Sequence, residues 1–232
     1  MPSSRKKESN LLICSASPRD IPEVMRERAK LSQDRFYMKY FKPREAYTRI
    51  RDFFLDNKQY THLVIAPDDL VVSPDHVKQL EDDLKSFDYP VISGICNVDQ
   101  RTKKNYAAIA RNLPKRRYID EGIRDPYDWY TFDEIKNLGN PFLQVEFSGT
   151  PLMAIRRDIV KLIPFEDDGD YNEDGGEGQA QDLHFNHNCK KHNIPVIVDT
   201  RINMLHMRHA GEILVGKVSP MIIYVCKHST QY

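Results

Sequence analysis

Net charge is the first thing this 232-residue sequence lacks: its 34 basic residues cancel its 34 acidic ones. No overall field therefore draws the chain to nucleic acid or to an anionic membrane, and local charge must do any such work. Long apolar runs are missing as well. No stretch approaches the roughly 18 apolar residues of a membrane span, and residues 1–10 are polar and charged without the hydrophobic core of a signal peptide. These absences lead us to expect a cytoplasmic protein without a transmembrane segment. Cysteine is scarce, with four residues far apart (Cys14, Cys96, Cys189, Cys226). Two of them sit in apolar, strand-like runs, as reduced core cysteines do, so no disulfides are expected. Nothing in the middle reads as a linker, which gives one domain over 11–232 behind a disordered head at 1–10.

What is present centres on residues 62–72. Leu63, Val64, Ile65 and Ala66 form a short apolar run without alternation, the pattern of a strand covered on both faces of an α/β sheet. Pro67 stops the ladder, and two adjacent carboxylates, Asp68 and Asp69, follow at the carboxyl end, where open α/β sheets keep their ligands. Ser73 and Pro74 are then a good N-cap and first helical residue, with Val77, Leu80, Leu84 and Phe87 as the apolar stripe.

Upstream, Leu11-Leu12-Ile13-Cys14 reads as the first strand, followed by a loop of small and polar residues at 15–20. Ser15, Ser17 and Arg19 of that loop are candidates for contact with a nucleotide base or ribose; the competing reading is a plain strand-to-helix turn with Asp20 as the cap. Residues 34–42 interleave aromatics with cations. That suits either a flat anionic ligand, with Asp34 among its contacts, or a strand with one solvated face. Ala46, Ile50, Phe53 and Phe54 mark the next helix.

Downstream, a strand is expected at 90–96, with Asn97 and Asp99 just beyond it. Seven basic residues and no acid follow between 101 and 117, which read as a solvated hairpin or an anion-binding face. Residues 118–140, with the one tryptophan at 129, look like a surface excursion. A strand at 143–147 meets Ser148-Gly149-Thr150-Pro151 and continues through 152–155, Gly149 permitting close backbone approach or a bulge. Seven carboxylates crowd residues 166–177. A calcium loop fails there, because its sixth position is Glu173 and its twelfth Gln179, so a mobile loop beside the site is expected. A helix at 179–192 carries Asp182 in its first turn. Strands at 194–199 and 202–207 leave His206 and His209 near a strand end, and residues 221–226 are placed as an edge strand or a terminal staple.

Taken in order, these pieces resemble GT-A-fold nucleotide-sugar glycosyltransferases of the large, family-two-like, metal-dependent and mostly inverting kind. Val64-Ile65-Ala66-Pro67-Asp68-Asp69-Leu70 resembles their strand ending in an Asp-x-Asp motif. The stretch from Phe147 through Gly149 to Arg157 resembles their Gly-containing strand, Gln181-Asp182-Leu183 their Glu-Asp motif opening a helix, and Leu205-His206 their late metal-binding histidine. The resemblance departs at two places: Ala66 or Pro67 stands where the first acid belongs, and Gln181 replaces glutamate.

The resemblance implies a three-layer α/β/α sandwich around a mixed, mainly parallel sheet. It implies a UDP- or GDP-type sugar donor held by Ser15, Ser17, Arg19, Asp34, Asp68 and Gly149, Mn²⁺ or Mg²⁺ held by Asp68, Asp69 and His206, and a hydroxyl acceptor on a glycan, protein or lipid carrier. The chemistry asks for the same groups: a cation neutralises the departing diphosphate, and a base takes the acceptor proton. Asp182 is the base candidate, kept ionised by the helix dipole. The alternatives are a retaining transferase on the same fold, where Asp182 has another role, and a non-catalytic nucleotide- or sugar-binding module. A sugar-phosphate nucleotidyltransferase is disfavoured, since residues 15–20 contain no glycine.

Overall fold

The computed structural model describes residues 10–17, 19–98, 105–113, 127–164, 180–207 and 219–226. The head at 1–9, Asp99, the basic run apart from Arg111, the acidic stretch at 166–177 and His209 lie outside the described residues.

The main sheet contains nine strands among the described residues: β1 (Leu11–Ser17), β2 (Asp34–Lys39), β3 (His62–Ile65), β4 (Leu70–Val71), β5 (Val91–Cys96), β8 (Phe142–Val145), β10 (Met153–Arg156), β11 (Val196–His206) and β12 (Met221–Val225). Their order is β12-β2-β1-β3-β10-β5-β11-β4, with β8 also paired to β11. The strands β2, β1, β3, β5 and β11 run one way, as their parallel ladders and their shared antiparallel neighbour β10 require. This is the mixed α/β sheet expected, with β3 near its middle. A second, antiparallel sheet is built from β7 (Trp129–Thr131), β6 (Tyr106–Ala110) and β9 (Phe147–Ser148).

Successive strand residues go to opposite faces, which is why the apolar runs show no alternation. Leu12, Cys14, Leu63 and Ile65 face one layer, where helix α2 (Pro43–Asp56) contributes Ala46, Ile50 and Phe54. Helices α4 (Phe132–Asn137), α5 (Arg157–Leu162) and α6 (Ala180–Lys191) share that layer through Ile135, Ile159 and Phe185. Leu11, Ile13, Val64 and Ala66 face the other layer, covered by Val77 and Leu80 of α3 (Pro74–Ser86). Helix α1 (Pro22–Ala29) begins, like α2 and α3, with a proline in its first turn. Ser73 caps α3 as expected, its Oγ accepting from the His76 N–H at 3.4 Å.

Four expectations need correction. The first strand runs on to Ser17, because β2 supplies a ladder partner as far as Lys39. Residues 34–39 are buried at all but one position, so no face of that strand is solvated. The stretch after Gly149 does not continue the preceding strand; it turns and enters the main sheet as β10, antiparallel between β3 and β5. The two late strands are one strand, β11, whose register against β5 breaks between Val198 and Asn203. Residues 221–225 form an edge strand on β2, one of the two placements left open.

The break in β11 sets two local constraints. It presses Ile202 against β5 at Gly94, where an added Cβ would lie 2.6 Å from the Ile202 carbonyl oxygen. It also leaves Asp199 fully buried beside Asp83 of α3, with Arg201 donating to both. Burial, then the hydrogen bond and charge of Asp199, raise the Asp83 carboxyl well above the usual carboxylate range.

Gly94→Ala should destabilise the fold by about 1–3 kcal/mol, since the neighbour it meets is backbone; denaturant unfolding measures this. The folded state holds a proton on Asp83 that the unfolded chain releases, so this group's contribution is full at acidic pH and is lost as pH rises toward neutrality. Asp83→Asn should flatten that fall, by on the order of 1 kcal/mol between pH 5 and 8, in unfolding curves across pH.

Candidate active site

The carboxyl ends of β1, β3, β5 and β11 meet at one rim of the sheet. Past β3, Asp68 and Asp69 stand on a turn closed by the Leu70 N–H donating to the Pro67 carbonyl at 3.2 Å. Asp68 is 6% exposed, so its charge must be answered locally. Arg19 answers it: its backbone N–H and Nε donate to Asp68 Oδ2 at 2.9 and 3.1 Å, and its Nη2 donates to Asp68 Oδ1 at 2.7 Å and to Asp69 Oδ2 at 2.8 Å. Burial raises the Asp68 carboxyl against the pull of Arg19, and burial prevails; the Arg19 guanidinium is raised further by its bond to Asp68.

His206 reaches the same acids from β11, which pairs with β4 across His206 and Leu70. Its Nε2 is 3.2 Å from Asp69 Oδ2 and its Nδ1 2.9 Å from the Asn97 carbonyl, while the Met207 N–H donates to the Asp69 carbonyl at 2.7 Å. Burial works against the charge on Asp69, but the bond and charge of His206, with help from Arg19, hold it down at about 2. Asp69 is an anion at any physiological pH.

Asp182 approaches through a different construction. The buried Asn186 of α6 accepts from the Ser148 N–H at 3.1 Å and donates through Nδ2 to the carbonyls of Ser148 at 2.9 Å and Asp182 at 2.7 Å, clamping the start of the helix to β9. Gly149 follows Ser148, and a Cβ there would lie 3.9 Å from Asp182 Oδ2 and 3.5 Å from Ala108 Cβ. Those are ordinary contacts, so the glycine is not forced by crowding; it leaves space beside the carboxyl. Thr150 and Leu152 carry positive φ values of 61° and 48°, strain of the sort that tight functional loops hold. Because β10 is antiparallel, this loop adjoins the end of β3 and therefore the acid pair.

The dipole argument for Asp182 is corrected by these surroundings. Desolvation outweighs the backbone N–H groups that favour the anion and pushes its carboxyl up to about 7, so it is part-protonated at neutral pH. One side chain senses all three acids: after burial, the charges of Asp182, Asp68 and Asp69 raise the Tyr47 hydroxyl on α2.

Of the donor-binding candidates, Arg19, Asp68 and Gly149 come to this rim, and the backbone of Ser17 ends β1 at it. Ser15 is buried within the sheet opposite Tyr37, and Ser17 ends the ladder opposite Lys39. Asp34 does not come to the rim. It pairs with Leu12 at the amino end of β1, about 16 Å along the strands from the rim at ~3.3 Å per residue, and takes the Tyr60 hydroxyl at 2.6 Å. Asp20 is no helix cap; it accepts from Lys39 Nζ and from the Tyr40 hydroxyl, pinning the Arg19 loop to β2. Arg111, the described member of the basic run, is bound to Glu134 and Asp128 and lies 3.8 Å from the Tyr130 ring centroid.

Two contributors escaped the sequence reading. Tyr47 is one. Arg28 is the other, 2% exposed and donating to the carbonyls of Ala66 and Pro67 directly behind the acid pair. The available signal was its place at the i+7 position from Ile21, on the stripe that also carries Val24.

The acids and imidazole suit a hard divalent ion in kind. Cis ligands each about 2.1–2.2 Å from an ion lie about 3 Å apart, which is the spacing of Asp69 Oδ2 and His206 Nε2. Among the described residues no three His, Cys, Asp or Glu side chains converge as ligands, and Arg19 Nη2 stands between the two carboxylates. Asp69 and His206 alone stand at ligand spacing, and Asp68 is taken up by Arg19, so the groups as placed do not make a complete set of metal ligands.

No protein-family model matches the chain, and no curated protein matches it by sequence. Solved structures do. A197 from STIV aligns with a TM-score of 0.58 at 14% identity, over 91% of this chain and 93% of its own. That likeness is one of fold. The inositol-1-phosphate CTP transferase from T. maritima aligns with a TM-score of 0.43 at 10% identity, over 87% of this chain and 90% of its own, too distant to carry an argument. No helix among the described residues is long and apolar enough to cross a membrane.

Gly149→Ala should fold normally and displace water beside Asp182. The Asp182 titration should then move upward from about 7, as followed by carboxyl carbon NMR.

Proposed function

We propose that the chain is a glycosyltransferase that moves a sugar from a UDP- or GDP-type donor to an acceptor hydroxyl, with inversion and with help from Mn²⁺ or Mg²⁺. The observation that carries this reading is the presence, at one sheet rim, of two unlike acid groups. Asp69 is held near 2 beside Asp68, Arg19 and His206, and Asp182 is poised near 7 beside an open glycine. Paired carboxyl environments pushed apart in this way are how a site divides charge handling from proton transfer at one pH.

In the reaction, the acceptor oxygen forms a bond to the anomeric carbon while the bond from that carbon to the diphosphate oxygen breaks. Asp182 takes the acceptor proton, and a carboxylate tuned near neutrality is well matched to that task. Asp68, Asp69 and His206 are the residues that would hold a divalent ion, and such an ion would supply positive charge against the departing diphosphate. Gly149 leaves room for the donor beside the base. A retaining transferase would keep the acid pair and give Asp182 another role. A non-catalytic binding module would keep nucleotide affinity and be indifferent to Asp182.

Calorimetric titration with UDP and GDP, each with and without Mn²⁺, should show binding of one diphosphate that depends on metal. Asp182→Asn should keep that binding and lower transfer by a hundredfold or more, within the ~10²–10⁴ range of general base catalysis; wild-type turnover should rise as pH passes about 7. Binding indifferent to metal, or full turnover by Asp182→Asn, would overturn the respective assignment.

A further inference from the structure

We infer that the open cavity between helix α4 and the break in β11 is a saccharide subsite, which takes the part of the acceptor lying beyond the hydroxyl that reacts. The inference rests on the transferase reading above and gives that reading a chemical class for its acceptor.

The break in β11 shapes the cavity. Val198 pairs with Ser93 and Asn203 with Ile95, so β11 advances five residues while β5 advances two. The surplus carries Thr200 toward the segment before β8, where its backbone N–H and its hydroxyl donate to the Pro141 carbonyl at 2.9 and 3.1 Å. Between this bulge and α4 lies a cavity of about 440 Å³, within the ~300–1,000 Å³ of sites that take small molecules. Ile95, Phe132 and Pro141 give it apolar walls, and Asp133, Lys136, Thr200 and Asn203 give it polar ones.

The lining suits a neutral, hydroxylated ring. It carries one acid, Asp133, and one cation, Lys136, and so has no net charge with which to hold a phosphate. Neither of these side chains, nor the Asn203 amide, has a hydrogen-bond or ion-pair partner among the described residues. An amide donates at one atom and accepts at the next, as a vicinal pair of hydroxyls does, so the two match. The Thr200 hydroxyl gives its proton to Pro141 and keeps its capacity to accept. The ring of Phe132, with the carbons of Ile95 and Pro141, offers apolar surface for the C–H face of a sugar. A wholly apolar ligand would strip water from the polar wall and return no bonds to it.

The cavity lies on the acceptor side of the rim. Asn203 stands three residues before His206 on β11, about 10 Å along the strand at ~3.3 Å per residue. Ile95 stands two residues before Asn97, whose carbonyl faces His206 Nδ1 and whose backbone bridges Ala107. Ala108, next along β6, accepts the Gly149 N–H at 3.0 Å, and Gly149 adjoins Asp182. The cavity is therefore joined to the proposed base along β6, on the face of the sheet where Ile95 and Ile135 share a layer with Phe185 of α6. An acceptor of two or more sugar units would rest a distal ring here and extend its reacting end along that line.

The test uses the full chain without donor or metal. Cellobiose, maltose, lactose, mannobiose and diacetylchitobiose are titrated into isotope-labelled protein, and the backbone amide signals of Lys136, Thr200 and Asn203 are followed by NMR, with AMP as an anionic control. At least one disaccharide should shift all three signals, and AMP should shift none. Asn203→Ala should weaken that binding about fivefold, the net worth of one hydrogen bond, and Asn203→Trp, which fills the cavity, should abolish it. Near-ultraviolet circular dichroism checks each fold. If Asn203→Trp does not fold, Lys136→Ala, at an exposed position, takes its place and should show a loss of the same size as Asn203→Ala.

Disaccharides that leave these three signals unmoved, or AMP that moves them instead, overturn the inference, while metal-dependent binding of UDP or GDP by the same protein would leave the transferase reading standing. Disaccharide binding at these residues that Asn203→Ala weakens, with no diphosphate bound under any condition, would support the saccharide subsite and defeat the transferase reading instead.

Discussion

The inversion of one strand organises this molecule. β10 lies antiparallel between β3 and β5, so the chain enters the middle of the sheet at the rim where the parallel strands end. Its entry loop, with Gly149 and the strained Thr150 and Leu152, is thereby held against the turn bearing Asp68 and Asp69. The Pro151 carbonyl locks the arrangement by accepting the Gly94 N–H at 2.8 Å and the Ser93 hydroxyl at 3.0 Å. Had the strand continued past Gly149 as its sequence suggests, Asp182 and the acid pair would have no reason to share a rim.

From that constraint the electrostatics follow. Asp68 is buried and Asp69 and Asp182 are partly so, and in such surroundings each charge is decided by its nearest partners. Asp69 has Arg19 and His206 as partners and stays ionised. Among the described residues Asp182 is met by backbone N–H groups, and burial carries it toward neutrality, with Tyr47 lying within the influence of both. Arg28, buried behind the pair and bound to carbonyls, adds positive potential without touching the acids. The site is thus asymmetric: the Asp69 carboxyl is held ionised at one end, and the Asp182 carboxyl is pushed toward neutrality at the other.

Much of the scaffold was legible in local pattern. Residues 63–66 read as a doubly covered strand because their neighbours alternate between two apolar layers, and Ser73 with Pro74 read as a helix start because capping is a short-range affair of backbone N–H groups. The acid pair could be singled out because Pro67 ends the ladder just before it. Ser15 and Asp34 were less legible. Whether a polar residue at a strand end meets solvent depends on how far the neighbouring strand extends, and on which end of the sheet it occupies. Asp34 resembles a ligand contact in sequence, yet Tyr60 holds it at the opposite end.

The sequence by itself determined the elements, their apolar faces and the chemical kinds of the candidate groups, because propensity, capping and periodicity act over a few residues. Tertiary structure alone decided who meets whom. Arg19 stands 49 residues from Asp68, and His206 stands 137 from Asp69. Asp182 owes its elevated pKa to burial beside β9 rather than to its place in a helix, and no local pattern encodes that desolvation. Contacts of this length are fixed by strand order and register, which the chain reaches only by satisfying the whole sheet at once.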